Sequence, residues 1–401
     1  MVGMPFGKDV AHALNYFLDL ALSMGFTVKN YDNYIGEVTL GDGKEELGII
    51  GHLDVVPEGT GWNTPPFELT LKDGVYYGRG LQDDKAPLLL CLHALNELKN
   101  SGKKLNKKFR LFVGCDEECN WEDVAYFEKL GNKFPKFGFS PDGDFPASYA
   151  EKGVVVVEFK LPKLKKFYDL KGGTVINAVC DLASCKALKE GIDLDLIKKH
   201  NLTLSEDDVI TSHGISAHGS APHKGSNALE PLFNYFLDMG EDVKDIINLI
   251  LYDGVGIKKM QNEQGFLTMS ADLIREQGDS IIISCDCRIP APFTTLDLVD
   301  KLKLTNLDFT YSEKHPTLLV DKNGALVNSL MSAYRDVTGD NTPPLSMGGS
   351  TFARVFEFGC SFGPTFVDAN TGIHEANEHL PEKDIKTLFE IYKKAIFLLN
   401  E

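Results

Sequence analysis

The chain of 401 residues carries 41 Lys and Arg against 58 Asp and Glu, a formal charge of −17, with 43% hydrophobic and 25% charged residues. At roughly 150 residues per domain this is material for two or three globular domains, and the composition excludes a disordered chain. The negative balance repels phosphate backbones and anionic lipid, so neither nucleic acid nor a membrane surface is expected as a partner. No apolar run reaches the roughly 18 to 20 residues of a membrane span. Residues 1–20 lack a basic start, an uninterrupted apolar stretch and a small-residue cleavage site. They do not read as a signal peptide, and the expected compartment is the cytoplasm. The eight cysteines show no spacing typical of a structural zinc site and read as reduced, mostly buried thiols.

In chain order, Leu47-Gly48-Ile49-Ile50 is a short apolar run that ends at Gly51-His52. Leu88, Leu89, Leu92, Leu95 and Leu98 recur at helical spacing, with Pro87 tolerable in a first turn. A second apolar run, 109–113, stops just before Cys115-Asp116-Glu117-Glu118. Strand, helix and strand in this order predict a mostly parallel sheet with helices on both faces. The functional groups of such sheets collect beyond the carboxyl ends of the strands.

From about Glu151 the texture changes. A β-branched run at 154–159, the lysine-rich 160–166, strands near 265–270 and 280–284, and a helix near 229–239 predict an α+β insert. After about Asp321 the alternation resumes, with helices expected at 327–337, 351–358 and 383–399. The expected fold class is α/β, with residues 1–153 and 321–401 forming one domain interrupted by an α+β lid of residues 154–320.

Several short segments carry chemistry. His52 and Asp54 lie two apart, so on a strand Asp54 can accept the second ring N–H of His52 and fix the tautomer of a metal-bound imidazole. Taken alone, the pair reads more simply as a hydrogen-bonded histidine at a strand end. Asp83 and Asp84, in Gly78-Arg79-Gly80-Leu81-Gln82-Asp83-Asp84-Lys85, would either satisfy helix N-terminal N–H groups or let one carboxylate bridge two metal ions. Asp116-Glu117-Glu118 is a charged loop, or else a metal-binding glutamate beside one that activates water. Asp142 looks like a turn residue and His374 like a surface histidine.

Their order says more than any one of them. GHLDVVP from Gly51, GRGLQDDK from Gly78, DEE from Asp116, SPDGDFP from Ser140 and IHEANE from Ile373 resemble the dinuclear-metal amidohydrolases. That family holds glutamate carboxypeptidases, aminoacylases, carnosinases and bacterial dipeptidases. The chain looks closest to the PepV-type Xaa-His dipeptidases, from about Gly7 onward. The tract from Asp116 to Asp123, with Asn120-Trp121-Glu122-Asp123, resembles that branch in particular.

The resemblance implies a zinc-exopeptidase-like catalytic domain holding two zinc ions, with manganese or cobalt suited as well. Asp83 would bridge the ions, His52 and Asp142 would complete one site, and Glu118 and His374 the other. Two divalent cations against three carboxylates and one bridging hydroxide are neutral. Asp54 would orient His52, Glu117 would be the general base, and a cis peptide would follow Asp83. In the lid, His218 in Gly214-Ile215-Ser216-Ala217-His218 would polarise the scissile carbonyl, and Arg288 would grip the substrate carboxylate bidentately. Asn177 would add an oxyanion contact. The turn Met347-Gly348-Gly349-Ser350-Thr351 would open a helix and receive the same carboxylate. On their own, His218 reads as a loop histidine, Arg288 as a surface ion pair and the glycines as an ordinary turn.

The implied activity is a dipeptidase acting on unblocked dipeptides, as a monomer whose lid histidine serves its own chain. The rivals are an N-acyl-amino-acid deacylase and a catalytically silent peptide- or metal-binding protein. Three departures stand out. Ala86 follows Lys85 where relatives usually have glycine, Cys115 and Cys119 flank the acidic motif, and the chain starts about fifty residues late relative to the family pattern, an expected truncation.

Overall fold

In the computed structural model, which describes residues 3–263 and 265–401, the run Leu47-Gly48-Ile49-Ile50 is a strand, Glu46–His52, buried over nearly its whole length. A strand covered on both faces can be apolar throughout, and this one is. It lies parallel between Lys108–Gly114 and Phe137–Ser140, in register from Glu46↔Lys108 to His52↔Gly114. Phe358–Ser361 continues the parallel order beside Phe137–Ser140.

Antiparallel strands flank this parallel core. Ile35–Leu40 joins Lys108–Gly114 and is followed by its hairpin partner Thr27–Tyr31, while Ser148 pairs with Ser361 at the other side. The helix Lys8–Ser23 and this hairpin were not assigned from the sequence; the helix packs against both strands of the hairpin.

Parallel neighbours need crossovers, and the leucine-rich segment supplies one as the helix Ala86–Asn100, with Pro87 in its first turn and Leu88, Leu92, Leu95 and Leu98 buried. Two glycines show that both faces of the sheet are covered. A Cβ at Gly51 would run into Asp84 and Leu88 on one side, and a Cβ at Gly48 into Phe356 on the other. The helices Ala325–Thr338 and Glu382–Leu399 pack together, the latter also against Ala86–Asn100. The result for function is an alignment: His52 ends one strand, Gly114 ends the next before the acidic loop, and Ser140 ends the third just before Asp142.

The described residues divide into two units. One runs through Ala150 and adds Val320–Ser346 and Thr351–Glu401, and the other holds Glu151–Leu319 with Met347–Ser350. The second unit is built on an eight-stranded antiparallel sheet, with Thr268–Gln277, Ser280–Ile289 and Gly153–Pro162 adjacent toward one edge. Helices such as Leu229–Asp238 and Thr295–Leu302 complete its core, so this region is α+β. The glycine turn Met347–Ser350 belongs with it.

One predicted helix is absent. Residues 351–358 form only a short 3-10 turn, Phe352–Val355, before the strand Phe358–Ser361. Phe352 and Phe356 are buried in one aromatic cluster with Phe112 and Phe127. Gly359 approaches the Ala353 carbonyl too closely for any Cβ, which turns the chain back at once. The glycines 348 and 349 therefore open no α-helix, only the 3-10 turn Phe352–Val355 that follows Thr351.

Candidate metal centre

The three strand ends bring His52, the acidic loop and Asp142 together, and two further segments add Asp83 and His374. His52 is 0% exposed. Its Nε2 lies 2.9 Å from Asp83 Oδ1 and 3.7 Å from Asp142 Oδ2. The other oxygen of Asp83, Oδ2, is 2.9 Å from His374 Nε2, which also lies 3.1 Å from Glu118 Oε1. Asp83 thus turns one oxygen to each histidine. The Asp83–Asp84 peptide is cis, and His374 sits in the left-handed region at φ 61.

Asp54 differs in detail from what its spacing suggested. The nearest acceptor for His52 Nδ1 is the Asp54 backbone carbonyl at 3.0 Å, with the carboxylate at 3.4 Å. That carboxylate also accepts the backbone N–H groups of Glu117 (3.2 Å) and Glu118 (3.1 Å). One aspartate therefore holds both the imidazole and the acidic loop.

The electrostatics follow from crowding. Burial works against charge on Asp83, but hydrogen bonds from His374 and His52 outweigh it and hold this carboxyl below the usual range. Hydrogen bonds to Asp83 and Glu118 push His374 up to about 10. Burial opposes protonation of His52, yet Asp142, Asp54 and Asp83 hold it well above its ordinary value. Burial and the charge of Asp83 raise Asp142 to about 6, and burial with the charge of Asp142 raises Glu117. Acids packed this densely call for cations.

The donor set fits such ions. The ligand atoms of His52, Asp83 and Glu118 lie within 4.8 Å of one another, as do those of His52, Glu117 and Asp142. Tetrahedral zinc with bonds near 2.05 Å places its ligands about 3.3 Å apart, within the 2.9 to 3.7 Å range seen around His52. All donors are nitrogen or oxygen. Cys115 is buried and its thiol is pushed up by burial, so it behaves as packing.

Two acids inside the motifs, without a role assigned from the sequence, also shape the centre. Asp123, fully buried, accepts the N–H groups of Cys115 (2.7 Å) and Asp116 (3.1 Å), fixing the approach to the glutamates. Glu378, 1% exposed, binds the loop of Asp83. Asp123 closes the tract that begins at Asp116 and Glu378 closes IHEANE, but residue type and spacing do not say that their carboxylates face backbone N–H groups.

Within the second unit the structure gathers the other candidates. Gly219 N–H donates to the Asn177 carbonyl at 2.7 Å, and Ala178 pairs with His218. Arg288 gives its Nε to both oxygens of Asp286, at 2.9 and 3.0 Å, and its Nη1 stands 3.5 Å from the Gly348 carbonyl. Asp286, unnoticed in the sequence, thus occupies Nε and leaves the guanidinium fork turned elsewhere. Ser220 N–H donates to His218 Nδ1 at 3.1 Å. That selects the neutral tautomer with its hydrogen on Nε2. Gly348 lies against Ser220, and the Ser350 hydroxyl is buried without a partner among the described residues.

A sequence profile described as peptidase family M20/M25/M40 matches residues 48–397, and the chain belongs to that family. It is a metallopeptidase and hence a hydrolase. A Staphylococcus aureus (strain MRSA252) protein named "Putative dipeptidase" is 28% identical over 430 residues, 98% of this chain and 92% of its own. The M20 family metallo-carboxypeptidase Sso-CP2 of Sulfolobus solfataricus shares the fold at TM-score 0.62 and 16% identity, covering 98% of this chain and 95% of that one. The YXEP protein of Bacillus subtilis, described as a dinuclear metal binding peptidase from the M20 family, gives TM-score 0.54 at 9% identity over 98% and 93%. Among the described residues no helix is long and apolar enough to cross a membrane.

Proposed function

We propose that this metallopeptidase is a two-metal dipeptidase of the PepV type that hydrolyses unblocked dipeptides, Xaa-His among them. The observation that carries the reading is the fork of Asp83, with one oxygen 2.9 Å from His52 and the other 2.9 Å from His374. His52, Asp83 and Asp142 would hold one ion, and Asp83, Glu118 and His374 the other. Zinc suits the donors, as do manganese and cobalt. When bound, the ions would supply a water activated near neutral pH and positive charge for the developing oxyanion.

The remaining work belongs to the chain. Glu117 accepts the proton of the attacking water and returns it to the leaving amine. Asp54 orients His52 and holds the backbone of Glu117 at the same time. His218, with its Nε2 hydrogen selected by Ser220, donates to the carbonyl oxygen as it becomes charged, and Asn177 adds a second contact. Arg288, aligned by Asp286, pairs with the free carboxylate beside the turn of Gly348, Gly349 and Ser350. Recognition of that carboxylate favours dipeptides over longer chains.

Metal analysis of the purified protein, followed by assay of Ala-His and Ala-Ala beside N-acetyl amino acids, tests the proposal. Two ions per chain with preferred dipeptide cleavage are expected. Preferred deacylation would transfer the site to N-acyl amino acids, and bound metal with no turnover of any amide would make it a binding protein.

A further inference from the structure

The loop that carries Asp83 has an unusual problem. Gly80 is left-handed at φ 79, and Asp83 (φ −126, ψ 93) and Asp84 (φ −131, ψ 16) depart from helical angles. The N–H groups of such a loop are not paired along a regular helix and need acceptors from elsewhere. Glu378 supplies them. Its Oε1 accepts Gln82 N–H at 2.8 Å and Asp83 N–H at 3.2 Å, and its Oε2 accepts Gly80 N–H at 2.9 Å and Arg79 Nη1 at 2.8 Å. The Glu378 carbonyl also accepts Gly78 N–H at 3.1 Å. Arg79 is fixed in turn, with Nη2 toward the Pro57 and Glu58 carbonyls and its guanidinium 5.3 Å over Trp62.

Glu378 follows His374 by four positions on one short segment. That segment therefore meets Asp83 twice, through His374 at the carboxylate and through Glu378 at the backbone. The two attachments leave Asp83 little freedom to rotate or retreat. A carboxylate is the right group here: it carries acceptors only, and all four of its partners are donors. An amide in its place would turn an NH2 group toward N–H.

We propose that Glu378 is a positioning residue for the metal centre: by holding the backbone of Gly80 to Asp83, it sets the place of the bridging carboxylate against His374 and so the affinity for both cations. This rests on the reading of Asp83 as the shared ligand. A buried glutamate that served the fold alone would change stability and leave metal binding as it was. Because Asp83 is shared, loss of Glu378 weakens both ions together, whereas loss of a single histidine weakens chiefly one.

The test is zinc titration by calorimetry of the metal-free full chain, with circular dichroism and the metal-free thermal midpoint measured beside it. Wild type is expected to bind two ions. Glu378→Gln is expected to keep the far-ultraviolet spectrum and lose roughly 10- to 100-fold in affinity at both steps, the usual cost of removing a group that orients a ligand. His374→Ala is expected to weaken one step. If Glu378→Gln does not fold, Glu378→Asp takes its place, with the same expected loss because the shorter side chain cannot reach all four donors. Wild-type affinity at both steps in the folded variant, with or without a lower metal-free midpoint, overturns the proposal. A wild-type chain that binds fewer than two ions overturns the two-metal reading, and this inference with it, before any variant is compared.

Discussion

Buried acids at the strand ends of the α/β unit and inside the antiparallel sheet of the second unit meet different partners. At the strand ends of the α/β unit, buried acids meet backbone amides: Asp54 takes those of Glu117 and Glu118, Asp123 those of Cys115 and Asp116, and Glu378 those of Gly80, Gln82 and Asp83. In the antiparallel unit, Asp272 and Asp286 sit on the adjacent strands Thr268–Gln277 and Ser280–Ile289, with Ser270 opposite Asp286. Amides inside a sheet are already committed to the ladder, so these two acids find side chains instead. Ser270 donates to Asp272, and Arg288 to Asp286. A loop at a strand end can thus organise several carboxylates for metal, while a sheet interior supports one aligned arginine.

The largest effects should separate these two kinds of site. Asp83→Asn should empty or cripple both metal positions and abolish turnover, while His52→Ala should weaken mainly one; metal content by atomic emission checks both. Retention of two ions by Asp83→Asn would remove the bridge. Glu117→Gln should keep both ions yet lose about 10² to 10⁴ in kcat, the range of general-base catalysis. Its neighbour Glu118→Ala should lose a metal outright, and equal metal loss in the two would erase the proposed division of labour.

In the second unit the expected losses are smaller and differ in kind. His218→Ala should lower kcat by about 10² to 10³ with little change in KM, as for removal of one oxyanion donor. Arg288→Ala should mainly raise KM, by about 10- to 100-fold for a lost charged hydrogen bond. Amidated dipeptides sharpen the contrast. Wild type should prefer the free acid and Arg288→Ala should lose most of that preference, so equal cleavage of both forms by wild type would take Arg288 out of substrate binding.

The smallest effects are on stability against pH, and they should have opposite signs. Burial disfavours charge on Glu37, but hydrogen bonds from Arg110 and Tyr31 outweigh it and hold its carboxyl below 4.5. The stabilisation is present above the unfolded value and is lost as pH falls through the folded one. Burial raises Asp272 from 3.8 to about 8, and its Oδ2 has no partner among the described residues. Between those values the unfolded chain ionises there and the folded chain does not, so stability falls as pH rises. Thermal midpoints across pH should show Glu37→Gln flattening the acid limb and Asp272→Asn flattening the neutral one. An unchanged slope in Asp272→Asn would show that this carboxyl titrates normally.

Much of the first unit was legible because its signals are local. Leucines at helical spacing became Ala86–Asn100, and apolar runs ending in His52 and before Asp116 became parallel strands. Five motifs in fixed order identified the family. The 351–358 segment misled because its apolar spacing is helical, yet Phe352 and Phe356 enter an aromatic cluster and Gly359 lies tight against Ala353. That competition is tertiary. Asp123 and Glu378 stand inside the quoted motifs, yet their roles, like that of Asp286, were not read, because what matters about them is the set of donors that folding brings to their carboxylates. For Glu378 and Asp83 those donors lie 295 positions apart in the chain. Residue type and local spacing determined which side chains could take part in the chemistry. Only the tertiary structure decided which acids hold the backbone still and which turn toward the candidate metal centre, since the partners of a loop's backbone can lie far away in sequence, as those of Glu378 do.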